Sequence, residues 1–179
     1  MKNPWITHKT IEIFDNPWIE VTEHEVTNPG GGASLYGKVH FKNYAIGILA
    51  LDEDMNTWLV GQWRYPLNEY SWELPMGGGP LHEDKLESAK KELREETGIS
   101  ATHWEEITKI HLSNSVSDEV GYGYLARGLT FGETAFEETE DLTIKKLSFS
   151  AVVEMCMKGE ITDSLSVATI LKYALLLKK

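Results

Sequence analysis

The stretch "KELREETGI", residues 91–99, decides how the chain is read. It sets Glu92, Glu95 and Glu96 within five positions of a segment in which Leu86, Ala89, Leu93 and Thr97 recur at helical spacing. Gly98 then stops the pattern, as a residue just past a helix end should. With Leu93 at the centre of the buried stripe and about 100° per residue, Glu96 falls about 60° to one side and Glu92 about 100° to the same side. Glu95 lies further round, so three carboxylates fan across one flank. Lys91 and Arg94 project to the other flank, and Lys91 is spaced to meet Glu87 and Glu95. An ordinary solvated face mixes acids with bases. Carboxylates crowded at the edge of a core cost energy unless something positive sits among them. A divalent cation meets that need, and all-oxygen ligands that leave room for water and phosphates suit Mg²⁺ or Mn²⁺.

Just ahead of this helix, "MGGGP" at residues 76–80 carries no Cβ at three successive positions and lets backbone approach a ligand. Taken alone, such a run reads as a plain turn; beside the carboxylate fan it gains a second reading, as a place where Gly77 and Gly78 meet substrate. Upstream, "WITHKTIEIF", "WIEVTEHEVTN" and "SLYGKVHFKN" alternate partially and predict a small antiparallel meander. "NYAIGILALDEDMNTWLVGQWRYP" reads as a hairpin around "DEDMN", with at least one strand buried on both faces. Downstream, strands are expected at "WEEITKIHLS", "GYGYLARGLTF" and "LTIKKLSFS". Helices follow over "SAVVEMCMKGE" and "DSLSVATILKYALLLKK", the latter capped by Asp163.

The 179 residues suffice for one well-buried domain with a small appendage, and 41% hydrophobic with 25% charged residues is an ordinary globular balance. A formal charge of −11 argues against nucleic acid and anionic membrane as partners, because no Lys/Arg cluster stands out. No apolar run is long enough to span a bilayer, and the start lacks the basic and apolar regions of a secretory signal, so a cytoplasmic location is the expectation. The single cysteine, Cys156, reads as a small buried hydrophobe. "GYGYLA" matches a dinucleotide fingerprint in form, but "RGLTFGE" follows where that motif needs a helix.

Residues 77–99, "GGGPLHEDKLESAKKELREETGI", resemble the Nudix box. Gly77, Glu83, Glu92, Leu93, Glu95, Glu96, Gly98 and Ile99 fall in its register. One position departs: Lys91 stands where the family has an arginine that orients a metal-binding glutamate, and lysine keeps the charge without the planar fork. "GQWRYP", "WELPMGG", "SVSDE" and "GEITDSLSVATIL" extend the likeness to the ADP-ribose pyrophosphatase branch, over residues 44 to about 177. The resemblance implies an α+β Nudix fold, a mixed sheet sandwiched between helices. It also implies a small N-terminal β subdomain over 1–42 that contributes to a homodimer, with the hydrolase domain over 43–179.

The same resemblance implies Mg²⁺- or Mn²⁺-dependent hydrolysis of a nucleoside diphosphate sugar, ADP-ribose first, to AMP and ribose 5-phosphate. Glu92 and Glu96 become the principal metal ligands, with Glu95 bridging or assisting and the Met76 carbonyl completing the shell. Glu119 in "SVSDE" matches the loop glutamate that acts as base or binds metal, with Asp118 its adjacent competitor and an ordinary loop acid the plain alternative. Arg64 is the candidate for gripping phosphate or ribose, a structural ion pair being the alternative. Glu83 supports the loop or an outer metal position. Trp18, Trp63, Trp72 and Tyr70 offer faces for a base, although strand aromatics more often fill cores. Two other outcomes stay open: GDP-mannose or another nucleotide sugar as substrate, and a catalytically weak binding or sensor protein. A solvated acidic helix on an unrelated fold is the remaining, bland possibility.

Overall fold

Alternation drives the first 41 residues into β1 (Ile6–Asp15), β2 (Ile19–Thr27) and β3 (Ala33–Phe41), paired antiparallel in the order β1-β2-β3. The computed structural model describes residues 1–134 and 142–178. Between β2 and β3 the Asn28 side chain accepts hydrogen bonds from the N–H groups of Gly30 and Gly32, at 3.0 and 3.1 Å. Gly31 takes a φ of 85°, which glycine alone adopts without strain. This sheet forms one compact unit, Met1–Asn43, together with His111–Glu119.

The second unit comprises Tyr44–Ile110 and the described residues from Val120 onward. In chain order its elements are β4 (Asn43–Ala50), β5 (Asn56–Arg64), β6 (Glu69–Glu73), β7 (Met76–Pro80), α1 (Lys85–Thr97), β8 (Ile99–His111), β9 (Val120–Phe131), β10 (Thr143–Ser148), α2 (Phe149–Lys158) and α3 (Ser164–Leu176). A mixed sheet runs β7-β4-β9-β8, with β4 and β9 parallel; a second sheet, antiparallel, runs β10-β5-β6.

The unbroken apolar run of β4 explains the layering. Ile46, Ile48 and Ala50 point to one face, where they meet Ala89 and Leu93 of α1 with Trp58, Tyr122 and Tyr124. Leu49, followed by Leu51 just past the strand, belongs to the other face, with Val152 of α2 and Ile170 and Tyr173 of α3. A strand apolar on both faces must be covered on both, and helices do so here. This is the expected α+β sandwich.

Two expectations are corrected. The apolar runs around "DEDMN" do not pair as a hairpin. The turn closes, with Asp52 N–H on Asn56 O at 3.0 Å, but β4 and β5 then splay into different sheets. Each finds other partners, β9 for one and β6 and β10 for the other. Residues 76–80 are not a plain turn either but strand β7, an edge of the mixed sheet.

Candidate functional site

Helix α1 begins at Asp84, whose side chain accepts from the Leu86 and Glu87 N–H groups at 2.9 and 3.1 Å. It ends at Gly98, in the left-handed conformation with φ 69°. Fully buried Leu93 and Ala89 fix its rotation, and the glutamates then fall where the helical arithmetic puts them. Glu96 is 1% exposed, Glu92 and Glu95 are half-buried, and Lys91 and Arg94 are exposed. The expected i, i+4 pair forms, with Lys91 Nζ 3.5 Å from Glu95 Oε2.

Two of the carboxylates converge on one piece of backbone. Glu96 Oε2 accepts the Met76 N–H at 2.8 Å. The Glu92 carboxylate lies against Gly77 so closely that a Cβ there would sit 2.6 Å from Oε1 and closer still to the rest of the group. Glycine is required at 77 because a carboxylate occupies the space of its side chain. Gly79 serves the same packing, since a Cβ would come within 2.8 Å of Ile46 and of the Ser88 hydroxyl. Exposed Gly78 lies between them. A buried carboxylate needs hydrogen bonds or positive charge to offset its lost hydration, and the Met76 N–H supplies part of that for Glu96.

Arg64, near the end of β5, donates from Nε to both oxygens of Glu73 at 3.0 and 3.2 Å and makes a further short bond to Glu73 through NH2. Glu73 is 2% exposed. Hydrogen bonding to Glu73 raises the Arg64 guanidinium above its ordinary value despite burial, and the carboxylates of Asp163 and Glu96 add to it. The ion pair set beside the phosphate-gripping reading is therefore present. Arg64 also lines a hollow of about 270 Å³ with Ser71, Glu73, Thr162 and Asp163. Glu73 and Asp163 are not marked for this cluster by the sequence; the acid in "WELP" carries no signal until the register of β5 and β6 sets it beside the end of β5.

Glu119 is half-buried in the unit of the N-terminal sheet, its carbonyl accepting from Leu112 N–H at 3.4 Å. Its competitor Asp118 is committed elsewhere. His40 Nδ1 and Lys38 Nζ both lie 2.8 Å from Asp118 Oδ2, and the Phe41 N–H reaches Oδ1 at 3.0 Å. Burial would raise the Asp118 carboxyl, but the bonds from Lys38, His40 and Phe41 hold it below its usual value, which makes it a poor proton acceptor near neutrality. Glu83 is exposed in the loop before α1. Among the aromatics, Trp18, Trp63 and Tyr70 are 65%, 60% and 46% exposed rather than core, whereas Trp72 packs against the core.

The resemblance to the Nudix box implies a divalent ion, and the donors here suit one: hard carboxylate oxygens of Glu92 and Glu96 beside the Met76 backbone. Among the described residues no three His, Cys, Asp or Glu side chains are already gathered as a metal-holding group.

The NUDIX domain family model matches residues 42–155. The chain belongs to the Nudix family. Among relatives of this Nudix hydrolase, an ADP-ribose pyrophosphatase of Mycobacterium tuberculosis (strain ATCC 25618 / H37Rv) is 33% identical over 155 residues, covering 82% of this chain and 72% of that protein. An ADP-ribose pyrophosphatase of Bacillus subtilis (strain 168) is 28% identical, covering 89% and 88%. A methanol dehydrogenase activator of Bacillus methanolicus is also 28% identical, covering 92% and 89%. The crystal structure of an ADP compounds hydrolase superposes with a TM-score of 0.87 at 16% identity, covering 98% of this chain and 95% of that one, which shows the shared fold. Among the described residues no helix is long and apolar enough to cross a membrane.

Proposed function

We propose that this Nudix hydrolase cleaves the pyrophosphate of ADP-ribose or a related ADP-sugar, giving AMP and a sugar phosphate, with Mg²⁺ or Mn²⁺ as cofactor. The observation that carries the reading is the seating of Glu92 and Glu96 on the Met76–Gly77 backbone. Two relatives named as ADP-ribose pyrophosphatases support the substrate class.

In this reading Glu92 and Glu96 hold the metal, Glu95 assists, and the Met76 carbonyl contributes a main-chain oxygen. When bound, the ion supplies positive charge to the pyrophosphate and acidifies a water. Glu119 accepts the proton of the attacking water, whose oxygen bonds to one phosphorus while the bond from that phosphorus to the bridging oxygen breaks and the bridging oxygen leaves on the other phosphate. Gly77 and Gly78 let backbone lie close to the phosphates. Arg64, its fork fixed by Glu73, turns its remaining donors to phosphate or ribose oxygens. Residues 1–42 act as a dimer-forming β subdomain and residues 43–179 as the hydrolase domain. Exposed Ile6, Ile13, Phe14 and Leu35 on that sheet support a homodimer. The chain works on a small molecule in the cytoplasm, without nucleic acid or membrane.

A panel of ADP-ribose, other ADP-sugars and GDP-mannose, with products separated by chromatography, tests the reading. AMP with ribose 5-phosphate as the fastest products supports it. Faster cleavage of GDP-mannose, or tight binding without turnover, replaces it.

A further inference from the structure

We propose that Asp118 is a positioning residue: it clamps the 112–119 loop to the edge of β3 and thereby holds Glu119 in place. The proposal rests on the base role given to Glu119 above. In the order β1-β2-β3, strand β3 has one edge without a strand neighbour among the described residues, and such an edge offers a row of N–H and C=O groups to any passing chain. The loop uses them. Val39 N–H donates to Val116 O at 2.8 Å, Asp118 N–H returns a bond to Val39 O at 3.2 Å, and Val39 and Ser117 form a parallel bridge. The loop closes on itself through Ser113 O, which accepts from Ser117 N–H at 2.8 Å and Val116 N–H at 3.1 Å.

Backbone pairing alone leaves the register of so short a contact weakly set. The Asp118 carboxylate sets it. One oxygen takes the Phe41 N–H, and the other takes His40 and Lys38. Contacts to three β3 residues, Lys38, His40 and Phe41, from one side chain fix the loop along the strand, immediately before Glu119. Charge-assisted bonds of this kind are the stronger class. The loop is otherwise exposed from Ser113 to Val116, where the Tyr36 hydroxyl of β3 also donates to the Ser115 carbonyl.

Steady-state kinetics on the full chain with ADP-ribose test this, comparing D118A, D118N, E119Q and D118A/E119Q. D118A should lose about ten- to a hundredfold in kcat, the scale of a small misplacement of a reacting group, with KM within about threefold. D118N keeps an acceptor for Phe41 but loses the charge that holds Lys38, and should fall between. Because the effect passes through Glu119, D118A/E119Q should be no slower than E119Q. Hydrogen exchange should quicken at residues 112–119 in D118A and D118N while α1 stays protected. D118A and D118N at wild-type kcat overturn the clamp, as does a D118A penalty of equal size in the E119Q background. E119Q turning over at the wild-type rate refutes the role of Glu119 itself, whatever Asp118 does.

Discussion

Gly77→Ala follows most directly from the packing of the Glu92 carboxylate. The new methyl would sit 2.6 Å from Glu92 Oε1, where ordinary contact needs about 3.4 Å, so the carboxylate must retreat by about 1 Å. What it strikes is the far end of a flexible side chain, so the fold has an inexpensive escape. Rotating Glu92 away from its present position costs about 0.5–1.5 kcal/mol, which at this chain length lowers the melting temperature by about 2–6 °C. Catalysis has no such escape if that carboxylate holds the ion. A displacement of about 1 Å at a reacting centre costs about a hundredfold in rate. The assay is AMP formation from ADP-ribose at saturating Mg²⁺, with a thermal melt on the same preparation. Loss of about two decades in kcat/KM with a small melting shift is expected. An enzyme within about threefold of wild type refutes the reasoning; so does a collapse of the melt, which would mean that β7, not Glu92, gives way.

Lys91→Arg restores a planar fork toward Glu95 where Lys91 Nζ lies 3.5 Å from Oε2, and the Mg²⁺ concentration at half-maximal rate should fall by about threefold; no change would separate Lys91 from metal binding. Asp52 makes a pH-dependent contribution. Burial alone would raise its carboxyl, but bonds from Lys146 Nζ at 2.8 Å and the Asn56 N–H at 2.7 Å bring it down to about 2. A folded value below the unfolded one stabilises above pH of about 4, and that share is lost as pH falls toward 2. Its upper bound is about 2.5 kcal/mol. Urea midpoints of wild type and Asp52→Asn should therefore differ at pH 7 and draw together as pH falls through about 2; a gap at pH 2 as wide as that at pH 7 contradicts the assignment.

Local pattern carried far in this chain. The heptad-scale spacing of Leu86, Ala89 and Leu93 already orients α1, which is why the burial of Glu96 and the Lys91–Glu95 contact were legible before any coordinates. Strand pairing was not. The segment "LALDEDMNTWLV" contains a true turn, but whether strands stay paired beyond it depends on competing partners some seventy residues away, at β9, and on β10. The glycines at 76–80 misled for a related reason: a glycine run signals flexibility locally, whereas here it removes side chains so that a strand can lie against a carboxylate helix. The partners of Arg64 and Asp118 were equally hidden, since Glu73 and His40 reach them through register rather than through sequence distance. The family box was legible because its residues fall at fixed spacing within one short stretch, 77–99; the partners of the loop acids were not, because they are set by what the fold brings to them.

The most direct test of the central claim, that the box carboxylates on the Met76–Gly77 backbone serve a divalent ion, is the Mg²⁺ dependence of ADP-ribose hydrolysis by wild type and Glu96→Gln. Glutamine keeps an oxygen for the Met76 N–H, now 2.8 Å from Glu96, so the helix and strand stay joined while the charge is lost. The account predicts a saturable requirement for Mg²⁺ in wild type and a loss of about a hundredfold or more in the variant at unchanged melting temperature. Hydrolysis that is indifferent to Mg²⁺, or a Glu96→Gln enzyme as fast as wild type, would contradict it.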